Sequence, residues 1–114
     1  MFFAGCAQNQ PQLTQSAKIL IKTPSMKFYD VGFVSRFQNH TEVQIYSAGA
    51  SILQLKIYKD RVCRDTFECQ SLKEFNASNL HKSYAEDFLY QLFQQSKINY
   101  TDTKNRIRIK VIPN

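Results

Sequence analysis

Three cysteines, two histidines and nine carboxylates are the residues of this 114-residue chain that could ligate a metal, attack a carbonyl or move a proton. Cys63 and Cys69 stand in the run RVCRDTFECQ. A C-x5-C spacing with no histidine beside it matches no common zinc site, and it lacks the C-x-x-C of dithiol redox motifs. Two extended arms joined at Arg64-Asp65-Thr66-Phe67 would instead set the two thiols opposite one another, within reach of a disulfide. So short a loop contributes about 2 kcal/mol on a chain-entropy view. The bridge is expected if the chain is exported. His40 and His81 lie in polar, turn-like segments and are read as a solvated turn residue and as surface on the approach to a helix. Glu42 takes the solvent side of a strand, Asp60 a turn, and Glu86 and Asp87 the start of a helix, so no carboxylate pair stands out. Three glycines leave no glycine-rich phosphate loop. The chain is expected to be non-enzymatic, with no metal and no cofactor.

The third cysteine has a different setting. Phe3-Ala4-Gly5-Cys6 resembles the lipobox of bacterial lipoproteins, whose cysteine becomes the acylated N-terminus after signal-peptide cleavage. Ala4 and Gly5 are the small residues a signal peptidase cleft accepts, with Phe3 where Leu is usual. Met-Phe-Phe is shorter than the ~7–15 apolar residues of a signal-peptide core, so a start upstream of Met1 is expected. Ala7-Gln8-Asn9-Gln10-Pro11-Gln12 has nothing to bury and fits a tether. Ala7, in place of Asp, points to the outer membrane by the usual retention rule.

A second motif lies at Glu74-Phe75-Asn76-Ala77-Ser78. It resembles the acceptor D/E-x-N-x-S/T of the oligosaccharyltransferase found in Campylobacter and its relatives. This implies glycosylation of Asn76, read by way of Glu74 and Ser78, in an exposed loop. Asn39 and Asn99 head minimal sequons without the acid, with Phe37 and Lys97 in its place. Lipobox, tether, cysteine pair, acceptor motif and a late helix and hairpin together resemble the small outer-membrane lipoproteins of Campylobacter and Helicobacter.

The elements that must position these residues follow from periodicity. Apolar residues make up 43% of the chain, with nine Phe and six Tyr, which suits one globular domain. Residues 1–15 are expected as signal remnant, lipobox and tether, and 16–114 as a single β-rich domain. Ala17–Lys22 and Phe28–Phe37 read as strands, with Gly32 marking a bulge. Thr41–Tyr46 and Ser51–Tyr58 alternate cleanly and flank Ser47-Ala48-Gly49-Ala50, a hairpin. Ser83 and Glu86 fit a capping box. Tyr84, Phe88, Leu89, Leu92 and Phe93 then recur on one helical face, predicting a helix over about 84–95. Ile98–Tyr100 and Ile107–Ile112 close the chain as a hairpin, with Arg106, Arg108 and Lys110 turned outward. On an edge strand such charges oppose edge-to-edge pairing, and they can also meet anionic head groups or an acidic partner.

This pattern predicts an antiparallel β-sandwich of variant immunoglobulin-like form with one helix. The alternative is a curved antiparallel sheet enclosing a helix, like that of lipoprotein carriers. The corresponding function is a lipid-anchored binding or assembly module at the outer membrane, held to the membrane by its anchor and working with other envelope lipoproteins. The alternative function is a lipid or lipoprotein carrier with an apolar pocket. Nucleic acid is not an expected partner of an exported chain.

Overall fold

The structure is a computed structural model that describes residues 12–65 and 68–114. Strands form where apolar and polar residues alternate, because alternate side chains take opposite faces of the pleat. β1 (Leu13–Lys22) buries Ala17, Ile19 and Ile21 and exposes Lys18 and Lys22. Its start at Leu13, four positions ahead of the expected Ala17, reflects pairing of Leu13–Ser16 with Phe33–Arg36. β2 (Lys27–Arg36), β3 (His40–Ser47) and β4 (Ala50–Tyr58) continue the meander. The β3–β4 turn places Ala48 and Gly49 at φ 52° and 82°. Positive φ at both central residues matches the right-handed twist of the flanking strands. β5 (Arg61–Arg64) and β6 (Glu68–Ser71) complete the run, and α1 (Leu72–Asn79), α2 (Phe88–Leu92), β7 (Ile98–Asp102) and β8 (Ile107–Pro113) follow.

All eight strands belong to one antiparallel sheet in the order β6-β5-β4-β3-β2-β1-β8-β7. The expected sandwich is therefore corrected to a single sheet covered by helices. The last hairpin does not start a second sheet, because β8 returns to pair with β1 over Ala17–Lys22. The buried residues of successive strands share one face, and residues 72–97, running from β6 at one edge to β7 at the other, cover it. The opposite face carries Lys18, Gln44, Gln54 and Lys56, which a second sheet could not bury without partners.

The sheet curls toward its cover. β2 and β5 are three strand spacings apart along the ladder, roughly 14 Å if flat. Yet the Arg64 guanidinium of β5 lies 5.7 Å from the ring centre of Phe28 on β2. Gly32 enables part of this shape. A Cβ there would fall 2.1 Å from the Gln44 carbonyl oxygen, so only glycine allows β3 to approach so closely. Beyond Gly32, residues 27–31 pair with β1 alone. The bulge itself lies in the β3–β4 pairing, where the register shifts at Ile45/Tyr46.

The helical segment departs from expectation. The capping box forms at Ser71, whose hydroxyl accepts the Glu74 N–H while the Glu74 carboxylate accepts the Ser71 N–H. It starts the eight-residue α1. Ser83 makes no such cap. Its side chain bonds His81, residues 84–87 run through turns, and α2 has only five residues. The expected helix over 84–95 is thus corrected to the five-residue α2, its aromatic stripe being supplied partly by the residues before it, while α1 forms where no helix was expected.

Candidate functional site: the concave face and its cover

The centre of the sheet's inner face is aliphatic, with Asp30, Arg36, Arg64 and Asp102 toward its margins. Ile19, Val43, Ile45, Leu55, Ile57 and Ile109 are all within 1% of complete burial. The cover drops Leu72, Phe75, Leu80, Leu89, Leu92 and Phe93 onto them. Phe93, at 0% exposure, is the largest fully buried side chain. The bed is filled by these groups. The clefts of about 290, 260 and 250 Å3 lie at the surface and are lined largely by polar residues, including Arg64, Glu68 and Asn79 in the first.

Polar contacts at the rims fasten the cover. On the β7 side, the Tyr84 hydroxyl donates to Asp102 and accepts from the Tyr100 hydroxyl at 2.9 Å. Asn105 also donates to Asp102, at 2.8 Å. The Phe88 ring packs edge-on between Tyr84 and Tyr100, its centre 4.6 and 5.0 Å from theirs. Burial first, then the bond to Asp102, drives the Tyr84 pKa upward. The Tyr84 hydrogen bond, then Asn105, holds the Asp102 carboxyl below its ordinary value.

On the other side, Arg36 donates from Nε to the Phe93 carbonyl at 3.3 Å and from Nη2 to the Gln95 carbonyl. Gln15 donates to the Ser96 carbonyl. These are the carbonyls left unpaired after α2, where a cation also complements the helix dipole. Burial lowers the Arg36 pKa, and its Nη1 is buried without a hydrogen-bond partner.

The third fastening is Asn76, whose amide donates to the Ala85 carbonyl at 2.9 Å and ties α1 to the turn before α2. Asn76 is 2% exposed, on a helix, where an exposed loop was expected. Its nitrogen is the atom a glycosyltransferase would modify, and here it is buried and engaged. The expected exposed loop is corrected to a helix that buries Asn76: Glu74 serves the capping box, while Ser78 is exposed on α1.

The other expected residues fall elsewhere. Cys63 and Cys69 are directly opposite across β5 and β6 and are joined as a disulfide. Cys6 lies outside the described residues. Arg108 and Lys110 sit on β8, which lies between β1 and β7, so they guard no edge. Arg106 is in the β7–β8 turn at φ 59°. His40 is not a solvated turn residue. It opens β3, and its side chain is 11% exposed. Its ring stacks between Phe37 and Tyr58 at 4.5 and 4.7 Å, with Nε2 3.0 Å from the Glu42 carboxylate. The signal available in the sequence was the i, i+2 spacing of His40 and Glu42, which puts both on one face of a strand. His81 remains near the surface, bonded to Ser83.

Among the described residues, no three or more His, Cys, Asp or Glu side chains gather as a metal site, and no helix is long and apolar enough to cross a membrane. No protein-family model and no curated protein matches the chain.

Proposed function

We propose that this chain is an exported protein, anchored at the outer membrane through acylated Cys6, that shelters an acyl chain between its concave sheet and its helical cover. It acts without catalysis, as a lipid or lipoprotein carrier. The observation that carries this reading is the cover. Residues 72–97 include only helices of eight and five residues, and no strand ladder joins them to the aliphatic bed beneath. Such a layer can part from the sheet while every strand pair stays intact. The Cys63–Cys69 bridge supports an oxidising compartment, and Ala4-Gly5-Cys6 supports the anchor.

Magnitudes suit an exchange. Twelve methylenes entering the bed gain about 10 kcal/mol gross at ~0.8 each. Lifting the six apolar side chains of the cover loses about 12 kcal/mol at ~2 each. The two nearly cancel, so polar contacts at the rim decide the outcome. Arg36, released from the Phe93 and Gln95 carbonyls, would offer its guanidinium to the anionic end of the lipid.

The test is native mass spectrometry of protein extracted from its own membranes, beside titration of the full chain with a fluorescent fatty acid. Bound acyl lipid and saturable 1:1 uptake are expected, with Arg36→Gln weakening uptake about ten-fold. Absence of both copurified lipid and saturable uptake contradicts the proposal. A second reading, assembly with other envelope lipoproteins, is favoured by the open edges at β6 and β7, which could each add a strand. A lipid-free extract holding a stoichiometric protein partner selects it.

A further inference from the structure

The outer face of β2, β1 and β8 has a composition that the rest of the sheet does not share. Register sets its side chains in rows across the three strands. Lys27, Lys22 and Arg108 form one row, Tyr29, Leu20 and Lys110 the next, and Val31, Lys18 and Ile112 the third. Phe33 stands beyond them, opposite Ser16. Five cations thus interleave with apolar side chains, and no carboxylate occupies a position in these rows. Asp30 alternates with them, opposite Ile19, and its carboxylate turns to accept the Val31 N–H, lining a cleft with Lys18, Tyr29 and Val31 at the margin of the patch. Tyr29 is 66% exposed, Val31 50%, Phe33 41% and Ile112 39%. They account for most of the large apolar residues exposed among the described residues. The outer face of β3 and β4 instead sets Lys56 opposite Glu42 and carries Gln44 and Gln54 beside His40, Tyr46 and Tyr58, a mixed surface whose lysine faces a carboxylate.

We infer that this face docks onto the surface of an anionic phospholipid bilayer. The cations match anionic head groups, each contributing about five-fold in affinity near such a surface. A soluble polyanion would use those charges as well, but it gives no place to Val31, Phe33 and Ile112. Side chains of that kind, set among lysines with a tyrosine beside them, fit the boundary between head groups and acyl chains. The face lies opposite the cover, so docking leaves the cover free, and this inference stands or falls independently of the carrier proposal.

The experiment is sedimentation of the full chain, as unacylated Cys6→Ser, with vesicles of phosphatidylglycerol and phosphatidylethanolamine or of phosphatidylcholine alone. Binding at least ten-fold tighter to the anionic vesicles, weakening as salt rises, is expected. Lys22→Glu with Arg108→Glu and Lys110→Glu should reduce it more than hundred-fold. Tyr29→Ser with Phe33→Ser should reduce it several-fold, and Lys56→Glu on the mixed half should leave it unchanged. Circular dichroism checks that each variant is folded. Equal binding to both vesicle types, or none to the anionic ones, overturns the inference. Full binding by the Tyr29/Phe33 variant overturns it too, because the face would then be reading charge alone, as for an acidic protein or other soluble polyanion.

Discussion

Single residues in this chain take their meaning from what lies within a few ångströms of them. Gly32 reads as a possible bulge from sequence, but its demand is closer contact: the β3 backbone occupies the space a side chain would need. Gly32→Ala should destabilise the domain by about 3 kcal/mol, since backbone cannot yield as a side chain end does. Chemical denaturation measures this, and a loss within experimental error would show that β3 can shift away. Asn76 teaches the converse. Its acceptor motif describes the five residues around it correctly, yet those residues also start a helix that buries it. A short motif carries no information on burial. The disulfide was legible because the five residues between Cys63 and Cys69 suffice for a short turn between two extended arms, which sets the pair opposite one another.

At the scale of elements, helix α1 is held at its start by Ser71 and Glu74. Ser71→Ala should cost about 1 kcal/mol, while Ser83→Ala, which touches no helix end, should change stability by less than about 0.5 kcal/mol. Thermal denaturation of the two variants distinguishes the observed cap from the expected one; equal losses would return the helix start to Ser83. Both serines lead an S-x-x-E pattern, so local sequence alone does not choose between them. The choice comes from the sheet: β6 ends at Ser71, and Leu72 and Phe75 drop onto the bed from there. The strands were more legible, since β3, β4 and the last hairpin have clean alternation and turn residues between them. What alternation does not specify is which strands are neighbours. Pairing of β8 with β1, far apart in the chain, turned an expected sandwich into one sheet and made Arg108 and Lys110 interior to it.

The molecule as a whole is a curled sheet with a fastened cover, and pH should work on the fastening. Asp102 is held below its ordinary pKa, chiefly by Tyr84, so its contribution is complete above the ordinary carboxylate value and is lost as pH falls toward the lower folded one. Tyr84 is raised, so its contribution is complete below the ordinary tyrosine pKa of 10.0 and is lost as pH rises beyond it. The protection factors of amides in residues 84–93, with the intrinsic exchange rate at each pH divided out, should therefore be highest between these limits and fall at acid pH. Asp102→Asn should remove the acid limb; an unchanged limb would place the titrating group elsewhere. The central claim is that this cover lies over a bed able to take an acyl chain. A phospholipid carrying a photoreactive diazirine in its acyl tail, bound to the full chain and irradiated, tests this most directly. The account predicts adducts on inward residues such as Ile45, Leu55, Ile109 and Phe93. Adducts confined to Tyr29, Val31, Phe33 and Ile112 on the outer face would contradict it.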